Sequence, residues 1–104
     1  MTRPAPETIE SMAELRLCID EIDGELVRLL AEREGYTNRA PDLKAREGIA
    51  ARAPRRIEAV LANVGDRARA EGLDPELARA IWTLMIETVI AREERVIGKE
   101  GIDG

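Results

Sequence analysis

The sequence predicts an all-α protein, three helices per chain with one long N-terminal helix. Two observations carry this. Apolar residues recur at three- and four-residue intervals along most of the chain, and no stretch alternates apolar with polar residues as a half-buried strand would. Aromatic residues are nearly absent, with no Phe, one Trp and one Tyr. The core must therefore be built from Leu, Ile, Val, Ala and Met, which suits helix packing better than a sheet.

The first ten residues contain two prolines and read as a flexible arm. The first helix then runs from about Ser11 to Ala45. Leu15, Ile19, Ile22, Leu26, Leu29 or Leu30, Tyr36, Ala40 and Leu43 form one stripe along it. Ser11 is placed to cap it, with Glu14 three residues later completing a capping box. Gly24 and Gly35 each cost about 1 kcal/mol against Ala in a helix interior. Pro41 removes one backbone bond and bends the last turns. Arg33 interrupts the stripe where the next apolar residue should fall. Lys44 follows eleven residues later, close to three whole turns, so both cations share a face of an unbroken helix, about 16 Å apart along its axis. Cations that intrude on an apolar stripe are costly unless something anionic meets them.

Arg46 to Ala53 is a loop rich in small residues. Pro54 opens the second helix as a first-turn proline, with Ile57, Val60, Leu61, Val64 and Ala68 on one face, and Gly72 stops it. Asp74-Pro75-Glu76 restarts the chain with a cap, a proline and an acid at the positive end of the helix dipole. The third helix is expected to bury Leu77, Ile81, Leu84 or Met85, and Ala91 or Ile90, and to end before Gly98. Residues 98–104 read as a flexible tail. No internal repeat is present.

At 104 residues the chain reads as one domain, residues 1–104. With 44% hydrophobic and 36% charged residues it is globular rather than disordered. A net charge of −5, without a basic stripe, argues against nucleic acid as a partner. No run approaches the length of a membrane span, and the first residues lack the layout of a signal peptide. The single Cys18 allows no internal disulfide, and a reduced cytoplasmic location is expected. Histidine is absent, which removes Ser-His and Cys-His nucleophile pairs and the usual general base at neutral pH.

A 35-residue first helix would be roughly 50 Å long, against a radius of gyration of about 13 Å for a compact domain of this size. Half of its stripe would meet water unless another chain covers it, and an intertwined homodimer is the economical arrangement.

Four charged residues draw attention: Arg33 and Lys44 within or beside the first stripe, Arg16 near its start, and Glu93 late in the third helix. Taken singly, each has an ordinary explanation as a solvated charge, Arg16 with Asp20 four residues on and Glu93 beside Arg92 and Arg95. Cys18 reads as a small hydrophobe and Trp82 as core.

Taken together they carry a resemblance. The order ELRLCIDEIDGELVRLLAER, YTNRAPDLKA, a loop, PRRIEAVL and GLDPELARAIWTLMIETVIARE resembles the all-helical chorismate mutase family, from about Ala13 to Ile97. It is also similar to that family's isochorismate pyruvate lyase branch. The resemblance implies a dimer whose long first helices pair and whose two pockets draw on both chains. Arg16 would enter the partner's pocket and hold one substrate carboxylate, and Arg33 would grip the other. Lys44 would reach a carboxylate and the ether oxygen of the breaking bond. Glu93 stands where the family places a Gln or Glu that hydrogen-bonds that oxygen, and Ile90 would line the wall.

The implied chemistry is the Claisen rearrangement of chorismate to prephenate, with electrostatic stabilisation of the ether oxygen and no cofactor or metal. The substrate is a small dianion, which fixed arginine forks suit. A pericyclic step needs no nucleophile, so a chain without histidine can perform it. The alternative is isochorismate pyruvate lyase, giving salicylate and pyruvate. Val60 and Leu61 fall where mutases carry charged residues and resemble the lyase, whereas Glu93 is a form found in the mutase branch. A shift of one residue across the loop would bring Glu58 towards the same place. A non-catalytic helical dimerisation module is the reading from another class.

Overall fold

In the computed structural model, residues 3–104 are described; Met1 and Thr2, at the start of the expected arm, lie outside them. The described residues form four helices, α1 (Met12–Thr37), α2 (Ala40–Glu47), α3 (Pro54–Glu71) and α4 (Pro75–Ile97), preceded by one 3₁₀ turn, Pro6–Thr8. The all-α class is as the sequence predicts. The chain divides into two compact units, residues 1–36 and 37–104.

The first unit is α1 with the arm. Ser11 Oγ accepts a hydrogen bond from the Glu14 backbone N–H at 3.2 Å, the cap that the sequence indicates. The arm expected to be loose carries its own order. Thr8 Oγ1 donates to the Ala5 carbonyl at 2.7 Å, and the Arg3 guanidinium forks onto the Glu25 carboxylate at 3.0 and 3.4 Å. Those hydrogen bonds hold the Glu25 carboxyl below its ordinary range. Along α1 no residue is buried, and Leu17, Ile19, Ile22, Leu26, Leu29 and Leu30 are all exposed. A helix of 26 residues draws little stability from propensity alone and normally depends on a packed apolar face.

The expected single kinked helix is present as two segments. Its hydrogen-bonded ladder is interrupted at Asn38 and Arg39, and α2 restarts at Ala40 with Pro41 in its first turn. The reason is that Pro41 has no N–H to offer the preceding turn, whereas at a helix start none is required. The eleven-residue interval from Arg33 to Lys44 therefore spans two helices, and the single-helix periodicity does not relate their faces.

In the second unit, α2 ends on Gly48, whose left-handed φ of 70° lets the Ile49 N–H reach back to the Lys44 carbonyl at 2.9 Å. A glycine here avoids the steric penalty that a Cβ carries in this conformation. Helix α3 ends in the same way at Gly72, with Leu73 N–H donating to the Ala68 carbonyl at 2.8 Å. Asp74 then caps α4 through Glu76 N–H at 2.9 Å, as its sequence position suggests.

Helices α3 and α4 pack together, and α2 also meets α4. The predicted stripe of α3 is confirmed: Ile57, Val60, Leu61 and Val64 are half-buried, and Ala68 is buried. Small residues permit close approach between the helices. Gly65 is buried, and a Cβ there would come within 3.2 Å of Nε of Arg79.

The stripe expected on α4 is borne out at Met85 and Ile90 and corrected elsewhere. Leu77, Ile81 and Leu84 are exposed, while Ala78, Ile90 and Glu93 are buried and Trp82, Met85, Ile86 and Val89 are half-buried. The helix is apolar on more than one side, so periodicity alone does not choose the face that meets its own chain. The loop before α3 is built into the core, with Ala50, Ala51 and Ala53 all buried.

Residues 98–104, read from sequence as a flexible tail, return to that loop. Ile102 forms a bridge with Ile49, its N–H donating to the Gly48 carbonyl at 2.9 Å and its carbonyl accepting from Ala50 N–H at 2.8 Å. The segment is short and glycine-rich. Two of those glycines, Gly98 and Gly101, adopt positive φ.

Candidate active site

The second unit brings two of the sequence-selected residues together. Glu93 comes from the late turns of α4 and is only 3% exposed. A buried carboxylate is costly without a partner, and Lys44 supplies one, with Nζ 3.0 Å from Glu93 Oε1. The same ammonium donates to the Ala51 carbonyl at 2.8 Å. An ammonium has three protons, so two are committed inside the chain and a third remains for an anion.

The lysine is well placed for this by its local sequence. It lies in the last turn of α2, and the αL cap at Gly48 turns the chain directly into the alanine-rich loop. Ala51 is 1% exposed, and its carbonyl would otherwise be a buried acceptor in need of a donor.

Ile90 lies one turn before Glu93 on α4 and is 5% exposed. Val60 lies on the half-buried stripe of α3, whereas Glu58 is exposed, so α3 turns the apolar residue inward rather than the acid. In the first unit, Arg33 is half-buried and Arg16 exposed on α1. Both are more than a turn from each other on a helix whose apolar residues also face solvent.

Two parts of the site escaped the sequence reading. One is the Ala51 carbonyl, since a backbone acceptor leaves no mark in residue types; the run of small residues at 50–53 was its only signal. The other is a clamp on the same loop. Arg52 forks onto Glu87 of α4 at 2.9 and 2.6 Å, and these hydrogen bonds hold the Glu87 carboxyl below its usual range. A depressed carboxyl favours the fold above its unfolded pKa and loses that contribution as the pH falls through its folded value. Both side chains are about half exposed, so the clamp orients the loop more than it stabilises the protein.

As an arrangement, a lysine paired with a buried carboxyl group can meet a ligand oxygen with two hydrogen-bonding groups. Among the described residues no cluster of His, Cys, Asp or Glu could hold a metal ion, and no helix is long and apolar enough to cross a membrane.

The pair also makes a prediction about stability. Lys44→Ala leaves the Glu93 carboxylate buried without its cation, which should cost on the order of 3 kcal/mol. Lys44→Met combined with Glu93→Leu removes both charges and should recover most of that loss. Urea unfolding of the single and double variants measures this; an unchanged midpoint for Lys44→Ala would show that the pair is not a buried ion pair in solution.

Comparison with known proteins places the chain in a family. The family model for chorismate mutase type II matches residues 15–94. A chorismate mutase of Methanocaldococcus jannaschii is 29% identical over 79 residues, covering 76% of this chain and 80% of that protein. An isochorismate pyruvate lyase of Pseudomonas aeruginosa is 33% identical over 88 residues, covering 85% of this chain and 86% of that protein. The matched region contains most of α1, all of α2 and α3 and most of α4, with Arg16, Arg33, Lys44, Val60, Ile90 and Glu93 all inside it, and the chain belongs to the chorismate mutase type II family.

Proposed function

We propose that the protein is a chorismate mutase, converting chorismate to prephenate. The observation that carries this reading is the Lys44–Glu93 pair: an ammonium held at 3.0 Å from a buried carboxyl, with one proton to spare, in a chain of this family. In the rearrangement the ether C–O bond breaks as a new C–C bond forms, and negative charge gathers on the ether oxygen. Lys44 donates to that oxygen, and its interaction strengthens as the charge develops, so it lowers the barrier rather than merely binding substrate.

Glu93 makes the second hydrogen bond to the same oxygen. For this it must carry a proton, because an ionised carboxylate only accepts. Arg33 and Arg16 hold the two substrate carboxylates, as forks suited to planar anions. Val60 and Ile90 supply apolar wall, which excludes water and strengthens the charged contacts.

The working form is a homodimer, and Arg16 acts in the pocket of the partner. The support is α1, where no residue is buried and a row of leucines and isoleucines is exposed. Isolated, such a face is a liability in water. Paired with a second copy, it becomes the core that the helix lacks.

A second reading, isochorismate pyruvate lyase, draws on the apolar Val60 and Leu61 and on the similarity to the Pseudomonas aeruginosa protein. Purified protein incubated separately with chorismate and with isochorismate distinguishes the two. Prephenate from chorismate is expected; salicylate with pyruvate from isochorismate, and no prephenate, would replace the mutase by the lyase. No product from either would leave a dimerisation module.

For the mutase, Glu93→Ala removes a hydrogen-bond donor to the ether oxygen and should lower kcat by about a hundredfold. Glu93→Gln, which still donates, should keep substantial activity. Near-native kinetics for Glu93→Ala would remove Glu93 from the reacting centre. Shared pockets predict complementation: mixing inactive Arg16→Ala and Arg33→Ala chains should restore activity through heterodimers with one intact site. A mixture that stays inactive despite demonstrated subunit exchange would show that each pocket is built from one chain.

A further inference from the structure

The segment after α4 touches the candidate site only indirectly, through the loop that receives Lys44. Its contacts fall on both sides of Ala51. Ahead of it, Ile102 bonds to the Gly48 carbonyl and the Ala50 N–H at 2.9 and 2.8 Å. Beyond it, Asp103 Oδ1 accepts from the Arg55 N–H at 3.3 Å, in the first turn of α3. That second contact fills a gap, since Ala53, the residue in the cap position of α3, has no side-chain oxygen and makes no cap bond. A carboxylate at this helix end also complements its dipole.

Gly101 fixes the path between these contacts. Its φ is +139°, and a Cβ on it would stand 2.5 Å from the Ala50 nitrogen and 2.7 Å from the Ala50 Cα. Those are backbone atoms, so relief would require the loop or the segment to move. Only glycine fits this approach. The loop is thus held at Gly48 and Ala50 by one residue, at Arg55 by the next, and at Arg52 by Glu87.

We propose that Gly101–Asp103 is a positioning element for Lys44, pinning the loop so that the Ala51 carbonyl aims the ammonium at the reacting oxygen. The proposal rests on the reading of Lys44 given above. A lysine side chain has four rotatable bonds, and the contacts to Ala51 and Glu93 are what select one direction for it. If the loop shifts, Ala51 shifts, and an ångström of misplacement is enough to slow a reaction that depends on fixed geometry. None of these three residues is among those assigned to hold the substrate.

The test is steady-state kinetics of full-length Gly101→Ala, Asp103→Ala and Asp103→Asn, each alone and combined with Lys44→Ala, on whichever of chorismate and isochorismate is turned over. Gly101→Ala and Asp103→Ala should lower kcat by about tenfold or more with little change in KM. Asp103→Asn keeps an oxygen for the Arg55 N–H and should retain most of the rate. In the Lys44→Ala background the same substitutions should add little, because a misaimed side chain is already gone.

Native kinetics for both Gly101→Ala and Asp103→Ala, with Lys44→Ala crippled, would overturn the positioning role alone. An equal loss in the presence and absence of the lysine would also overturn it, since the segment would then act by another route. Near-native kinetics for Lys44→Ala would instead overturn the reading on which the proposal rests. Should Gly101→Ala fail to fold, the Asp103 pair and its cycle with Lys44→Ala decide by the same criteria.

Discussion

The burial of Glu93 is the constraint on which much of the second unit depends. A carboxyl 3% exposed on α4 must be met by hydrogen bonds or a cation, or the helix would not bury that face. Lys44 meets it, and to do so α2 must end where it does. The αL glycine at position 48 ends it. The chain then passes through Ala50, Ala51 and Ala53, whose small side chains let their backbone lie against the core and offer a carbonyl to the same ammonium. Helix packing, loop composition and the lysine's orientation are thus consequences of one buried acid. Such a pair adds little net stability compared with an apolar replacement, which makes chemistry the better reason for its presence.

Charge and apolarity are divided between the two units. The second holds the Lys44–Glu93 pair, while α1 of the first carries Arg16 and Arg33 on a helix with no buried residue. With a net charge of −5, the protein as a whole does not attract anions, so on the proposed reading recognition of a dianion would come from a few fixed cations at short range. At 0.1–0.15 M ionic strength, charges beyond about 8–10 Å are largely screened. Local geometry therefore matters more than the overall sign.

Much of this was legible in the sequence because it rests on local rules. Pro54, Gly72, Asp74 and Gly98 mark helix boundaries through dihedral and capping preferences that do not depend on tertiary context. The stripe of α3 has a single apolar side and was read correctly. Helix α4 is legible only in part, at Met85 and Ile90, because Leu77, Ile81 and Leu84 compete with Ala78, Trp82 and Val89 for the inward face, and periodicity has no means of ranking two apolar sides.

Pro41 reads from the sequence as a bend, but whether a proline bends a helix or starts a new one depends on the hydrogen bonds of the preceding turn. Lys44 and Glu93 could be singled out as charges near apolar stripes; that they meet is a long-range fact, which only the resemblance to a family supplied beforehand. The Ala51 carbonyl and the return of residues 101–103 were invisible, since backbone acceptors and bridges have no residue-type signature.

The most direct test of the central claim is a crystal structure with a non-reactive cyclic ether dicarboxylate that mimics the compact conformer of the substrate. The ether oxygen should lie within hydrogen-bonding distance of both Lys44 Nζ and a Glu93 carboxyl oxygen, with Lys44 still bonded to the Ala51 carbonyl. A ligand bound with its ether oxygen directed elsewhere, beside a Lys44–Glu93 pair that remains closed on itself, would contradict the assignment of these two residues to the reacting bond.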